Sequence, residues 1–158
     1  MKERVRHIPN IGVRAAEKAD IGLIARIEKD SFADAWSEAD FVSVLAFPQT
    51  IFLVGEDGDS GAVVGYAIAL AVLDESEILN LAVEPALRGH GLGGKLLDAA
   101  LSSAAERGVK SVFLEVRESN RPARRLYGSR GFEEISRRRG YYRTPVEDAL
   151  VLRLAMQR

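Results

Sequence analysis

Three apolar, β-branched runs follow one another almost without interruption: "IFLVGE" from Ile51, "GAVVGYAIALAVL" from Gly61 and "SEILNLAV" from Ser76, separated only by "DGDSG" and "DE". Connections this short can only reverse the chain, because a parallel neighbour needs a crossover of about a dozen residues or more. Asp and Gly also supply the conformations a tight reversal demands. The runs therefore predict an antiparallel three-strand meander, which excludes the successive parallel strand-helix-strand units of a doubly wound sheet over this part of the chain.

Directly behind the third run lies "LRGHGLGGKLL", from Leu87 to Leu97. It fits three phosphate-binding patterns. Gly89, Gly91 and Gly94 satisfy G-x-G-x-x-G; Gly89, Gly94 and Lys95 nearly complete G-x-x-x-x-G-K-[ST]; Arg88, Gly91 and Gly93 satisfy R-x-x-G-x-G. The nucleotide-triphosphate loop fails because Leu96 stands where a magnesium-binding hydroxyl is required. The dinucleotide loop belongs in the parallel context that the meander excludes. What remains is a strand end, a turn of exposed N–H groups and a helix N-terminus, a combination that favours a pyrophosphate. A plain glycine-rich connection is the alternative.

Leu92, Leu96, Leu97, Ala100, Leu101 and Ala104 trace one helical face that ends at Gly108, and "KSVFLEV" then reads as a strand. Strand, helix and strand make one right-handed crossover between parallel neighbours. "SNRPARRLYGSRG" predicts a short capped helix, and "FEEISRRRGYY" with "DALVLRLAM" an antiparallel pair. Ahead of the meander come a strand, "IGVRAA", a helix capped by Asp20 with Ile21, Ile24, Ile27 and Phe32 at helical spacing, and a helix capped by Ser37. The expected fold is α/β (α+β): a mixed sheet with an antiparallel N-terminal meander, one parallel crossover and helices on its faces.

Composition narrows the chemistry. With 158 residues, 47% of them hydrophobic, residues 1–158 read as a single domain with an adequate core. No membrane-length apolar run and no signal-peptide pattern occurs, so the expected location is cytoplasmic. The absence of cysteine excludes disulfides and thiol nucleophiles, and two scattered histidines, His7 and His90, are too few for a zinc cluster, so no metal is expected. Residues 107–143 hold 11 Lys/Arg against 4 Asp/Glu, a platform for an anionic cofactor or acidic substrate, or simply a solvated basic face. Interleaved aromatics are lacking, so direct nucleic-acid binding is not expected.

In "SVFLEVRE", alternation puts Val112, Leu114 and Val116 on one face and Phe113, Glu115 and Arg117 on the other. A carboxylate in an otherwise apolar strand costs free energy unless it is paired or used. Glu115 is therefore either a proton acceptor or the partner of Arg117.

"LNLAVEPALRGHGLGGKLL", "FLEVRESNRPARRLYGSRGFEE" and "RRRGYYRTPVEDALVLRL" resemble the acetyl-CoA domain of the GCN5-related N-acetyltransferases (the GNAT fold), and within that superfamily the RimI type, the ribosomal-protein-alanine N-acetyltransferases. The likeness extends to "FADAWSEADF", where Ala35 replaces the family's frequent proline. It implies acetyl-CoA as cosubstrate, a protein N-terminal amine as acceptor, with small-subunit ribosomal protein eighteen the partner, and direct attack in a ternary complex. Leu81, Ala82 and Val83 would run beside the pantetheine arm, with the Val83 amide facing the thioester oxygen. Arg88, Gly89, His90, Gly91, Leu92, Gly93 and Gly94 would form the pyrophosphate loop. Glu115 matches the general base and Tyr127 the general acid; Asn120 matches a cofactor contact; Tyr141 and Tyr142 match paired tyrosines beside the acceptor.

Each residue also has a plainer reading. Tyr127 packs on Phe132, Asn120 caps a helix with Ser119, the paired tyrosines pack on a strand, and His90 faces solvent. Trp36 walls the peptide groove or anchors the core. Two other functions stay open: acetylation of a small amine, with Asp34, Glu38 and Asp40 as its counter-charges, and a coenzyme A-binding module without catalysis.

Overall fold

The meander forms as its short connections require. In the computed structural model, which describes residues 10–156 and so leaves His7 outside, β2 (Thr50–Asp57), β3 (Val63–Val72) and β4 (Glu75–Val83) pair antiparallel in sequence. β1 (Ile11–Ala15) adds to β2, and β5 (Ser111–Arg117) lies parallel to β4. β7 (Val146–Ala155) pairs with β5, and β6 (Glu133–Arg143) forms the far edge. The seven-stranded order is β1-β2-β3-β4-β5-β7-β6, with β4–β5 its one parallel pair. This is the mixed sheet the sequence predicts.

Helices cover both faces. α1 (Ile21–Ser31) and α2 (Glu38–Leu45) bury Ile21, Ile24, Ile27 and Phe41 against Phe52, Val54, Tyr66 and Ile68. α3 (Leu92–Glu106) and α4 (Arg121–Ser129) pack on the other face, where Leu92, Leu96 and Leu97 meet Ala67, Val83 and Val112. Along β2 the alternation is visible: Ile51 joins the α3 side and Phe52 the α1 side. None of the described helices is long and apolar enough to cross a membrane.

Two local expectations need correction. Asp20 does not cap α1 with its side chain; a 3-10 turn over Lys18–Asp20 precedes the helix, and the carboxylate points back to the Glu17 N–H at 2.7 Å and to Arg14 at 2.8 and 2.9 Å. Arg14 offers two charged donors, so the ion pair outcompetes the cap. Phe32 does not continue the apolar stripe of α1, because the backbone turns extended there and leaves the ring 38% exposed. Ser37 caps α2 as expected, in a reciprocal box with Asp40.

The feature that makes a site is a failure of pairing. β4 and β5 bond only from Glu75–Ser111 to Ile78–Leu114 and then part. At that point β4 carries a bulge: Asn80 pairs with Ile68 and Ile78 with Ala69, so Leu79 is the extra residue. Beyond it, Leu81–Val83 and Glu115–Arg117 border an opening through the sheet.

Candidate active site

The opening exposes backbone. Glu84 donates its N–H to Val64 O on β3 at 2.8 Å, and successive strand residues present their backbone groups to opposite sides. Val83 and Leu81 therefore face away from β3, into the opening. Val83 O accepts from Arg88 Nε at 3.1 Å, and the Val83 N–H points the same way.

One cavity of about 580 Å³ runs from this strand end to the glycine loop and α4. Its floor includes Leu81, Ala82 and Val83, its far end Gly89 and Gly91 to Gly94, and its side wall Asn120, Ala123 and Tyr127. Gly89 and Gly91 have φ of 82° and 80°, a left-handed backbone that glycine adopts without penalty. Gly91 is the N-cap of α3, and its carbonyl accepts the first helical bond, from Lys95 at 3.2 Å. The N–H groups of Leu92, Gly93 and Gly94 consequently have no helical acceptor and sit at the positive end of a 15-residue helix. That is an anion cradle built from backbone.

Arg88 lines the cavity, but its guanidinium is used as a strut, bonding Val83 O and, through Nη2, Ser31 Oγ at 2.8 Å. His90 is exposed and does not line the cavity. Asn120 caps α4 by accepting from the Ala123 N–H at 3.2 Å while still bordering the cavity. The cap and a ligand contact are compatible, because the amide NH₂ remains available.

A second cavity, about 550 Å³, opens on the α1 side of the sheet. It shares Leu81, Asn120, Ala123 and Tyr127 with the first, so the two meet at the opening between β4 and β5. Glu115, Glu77, Trp36, Tyr141 and Tyr142 line it. Tyr127 sits at the junction, 7% exposed, with its ring 5.5 Å from Phe132 in an edge-to-face contact. The ring packs on Phe132, as the plainer reading has it, while Tyr127 also lines both cavities, and its hydroxyl has no hydrogen bond to any described residue. Burial pushes the phenol well above its usual range, so it is protonated at neutral pH.

Glu115 does not pair with Arg117. Its carboxylate meets Arg138 Nε at 3.0 Å, whereas Arg117 bonds Glu147 at 3.3 Å and the carbonyls of Thr144 and Pro145. Arg117 also lies 4.2 Å from the Tyr142 ring centroid, which fixes that ring against the groove. Tyr142 is pushed up to about 12 by burial and then by the Glu115 charge; Tyr141 is raised chiefly by its hydrogen bond to Glu115. Trp36 is half-buried against Phe41 at 5.4 Å and borders the same cavity. Of Asp34, Glu38 and Asp40, only Asp34 lines this cavity, and it lies 3.7 Å from Arg117.

Sequence reading missed three participants. Glu28 is buried at 2% exposure, accepts from Tyr66 Oη, from Asn80 Nδ2 at 3.0 Å and from the Trp36 N–H at 3.3 Å, and is raised by burial. Its helical position, next to Ile27, hid it among solvent-facing charges. Glu77 on β4 lines the groove and Arg138 on β6 meets the Glu115 carboxylate, and only strand pairing brings them there. No local pattern could have flagged either.

A backbone anion cradle, a split parallel strand pair and two cavities that meet at Tyr127, one of them bordered by Glu115, make a two-ligand site with room for a large anionic donor. The Acetyltransferase (GNAT) family profile matches residues 22–132, and the chain belongs to that family. The (ribosomal protein bS18)-alanine N-acetyltransferase of Escherichia coli is 37% identical over 144 residues, covering 90% of this chain and 95% of that one. The crystal structure of the ribosomal-protein-S18-alanine N-acetyltransferase from Escherichia coli superimposes with a TM-score of 0.86 at 33% identity, over 94% of this chain and 95% of that one. Ard1 from Thermoplasma volcanium superimposes with a TM-score of 0.85 at 29% identity, over 94% and 99%.

Proposed function

We propose that residues 1–158 form one acetyl-CoA-dependent Nα-acetyltransferase that acetylates the N-terminal alanine of ribosomal protein bS18 in the cytoplasm. The activity named for the Escherichia coli relative supports the acceptor, and one observation carries the chemistry: the two cavities meet at Tyr127, with Glu115 lining the acceptor side.

In this reading the pyrophosphate lies on the N–H groups of Leu92, Gly93 and Gly94, with the Arg88 charge beside it. The pantetheine arm pairs with Leu81 and Val83 as an added strand, bordered by Ala82 and Asn120. The acceptor enters between Trp36 and the Tyr141–Tyr142 pair. Its α-ammonium, with a pKa of about 8, needs only a modest base, and Glu115 takes that proton directly or through water. The neutral amine attacks the thioester carbon, forming the C–N bond. The Val83 N–H stabilises the oxyanion. As the tetrahedral intermediate collapses, the C–S bond breaks, the thiolate takes the Tyr127 proton, and the second proton of the attacking nitrogen passes through water to restore the phenol, while Glu115 returns its own proton to solvent. Transfer is direct in this reading, and the lack of a cysteine to carry an acetyl group agrees with it.

The test is thiol release from acetyl-CoA with alanine-first peptides that differ only in a free or acetylated N-terminus, alongside a panel of small amines. Turnover confined to free N-termini and reduced roughly 10²-fold or more by Glu115→Gln is the expected result. Turnover confined to small amines overturns the acceptor, and full activity of the glutamine variant overturns the base.

A further inference from the structure

Glu115 already has a cationic partner in the free protein. Arg138 Nε lies 3.0 Å from its carboxylate, and the guanidinium sits 5.5 Å from the Tyr141 ring centroid. The two ends of this pair differ in environment: the Arg138 side chain is 59% exposed and that of Glu115 only 20%. The cation therefore approaches from solvent, while the Glu115 carboxylate borders the groove.

The backbone that carries Arg138 is suited to letting it go. Arg138 pairs with Ala149, but the next paired residue on β6 is Tyr142, opposite Glu147, so residues 139–141 bulge out opposite Asp148 alone. Gly140, at φ 59°, lies within the bulge, and its N–H is held by Asp148 at 2.9 Å. The bulge is anchored independently of the Arg138 side chain. Rotation of that side chain toward solvent thus gives up one ion pair and the contact with the Tyr141 ring, and breaks no strand bond.

Glu77 enlarges the negative charge that Arg138 offsets. It lines the same groove, and its carboxyl is raised by loss of hydration first and by the Glu115 charge second, with Arg138 acting in the opposite direction. One guanidinium thus serves two carboxylates. An α-ammonium arriving at Glu115 carries the same charge and the same kind of N–H donor as Arg138, and competes for the same carboxylate.

We propose that Arg138 is a displaceable counter-ion of Glu115: it neutralises the groove in the free protein, and the acceptor ammonium takes its place. Arg138 is then a positioning residue whose displacement opposes acceptor binding. This rests on the Nα-acetyltransferase reading, because only a cationic acceptor competes for the carboxylate.

Three variants test it with an alanine-first peptide. Arg138→Gln removes the competitor, and its peptide KM is expected to fall about two- to fivefold, the range of a partly exposed ion pair, with kcat held within twofold. Arg138→Lys keeps a cation and is expected to stay near the wild-type KM. Arg143→Gln makes the same change in net charge on the same strand without touching Glu115, and its KM is expected to stay put. Independently of any variant's folding, the Arg138 Nε–H resonance of the wild-type protein with bound coenzyme A is expected to shift on addition of free-amine peptide and not of its N-acetylated form. An unchanged or higher KM in folded Arg138→Gln, an equal fall in Arg143→Gln, or an Nε–H resonance that saturating peptide leaves in place each overturns the inference while the acetyltransferase reading stands. A wild-type protein that acetylates no N-terminal peptide removes that reading and the inference with it.

Discussion

Replacing Tyr127 by Phe separates proton delivery from packing. The ring is 7% exposed and packs edge-to-face on Phe132 at 5.5 Å, within the cluster that includes Leu97, Leu114 and Val116. Phenylalanine keeps all of that contact. The hydroxyl bonds no described residue, so its loss removes no internal hydrogen bond, and the change in stability is expected to stay within about 0.5 kcal/mol. For a chain of this size that is a Tm shift of roughly 1–2 °C. Burial raises the phenol pKa, so at neutral pH the group enters the reaction protonated and able to donate to the departing thiolate. Losing a positioned acid lowers the rate by roughly 10²–10⁴-fold, and a fall of about 10³ in kcat corresponds to about 4 kcal/mol of barrier. Thiol release at saturating acetyl-CoA and peptide, with thermal melts on the same samples, reads both quantities. A kcat within threefold of wild type would refute the proton-donor argument. A Tm loss above about 5 °C would refute the packing argument, because it would mean that the hydroxyl has a structural partner.

Further outcomes follow from the same geometry. Gly91→Ala places a Cβ in open space but on a backbone with φ of 80°, so about 1–2 kcal/mol of strain falls on the α3 N-terminus; coenzyme A affinity by calorimetry and the urea midpoint should both drop, and unchanged values would mean that the loop needs no left-handed residue. Glu28→Ala strands the Tyr66 hydroxyl, the Asn80 amide and the Trp36 N–H, at about 1–3 kcal/mol for each group left unbonded, and should lower the urea midpoint clearly more than Glu28→Gln does. Asp20 is held below its usual range chiefly by its hydrogen bonds to Arg14, so the native state binds fewer protons than the unfolded chain. Its contribution is complete above the unfolded carboxyl value of about 3.9 and fades as pH falls through the lower folded value; Asp20→Asn should flatten the acid limb of a stability-pH curve, and an unaltered limb would discount the pair.

The order of elements was legible because it rests on local rules: β2, β3 and β4 are joined by connections too short for anything but reversal, and α3 between β4 and β5 leaves only a parallel crossover. The glycine loop was legible for the same reason, since a strand end, positive-φ glycines and a helix start are neighbours in sequence. Glu115 could be singled out by the alternation of one strand, but its partner could not. Asp20 was misread because an N-cap signal is local, whereas Arg14 reaches it from a strand beyond the turn.

The strands, the helices, their order and the backbone cradle at α3 all follow from periodicity and turn chemistry within short windows of the chain. Where β4 and β5 part, the bulge at Leu79, the burial of Glu28 and the approach of Arg138 from β6 to Glu115 emerge only in the folded chain. Those outcomes depend on which edges pair and how far the pairing runs, and that is settled by packing among residues far apart in the chain.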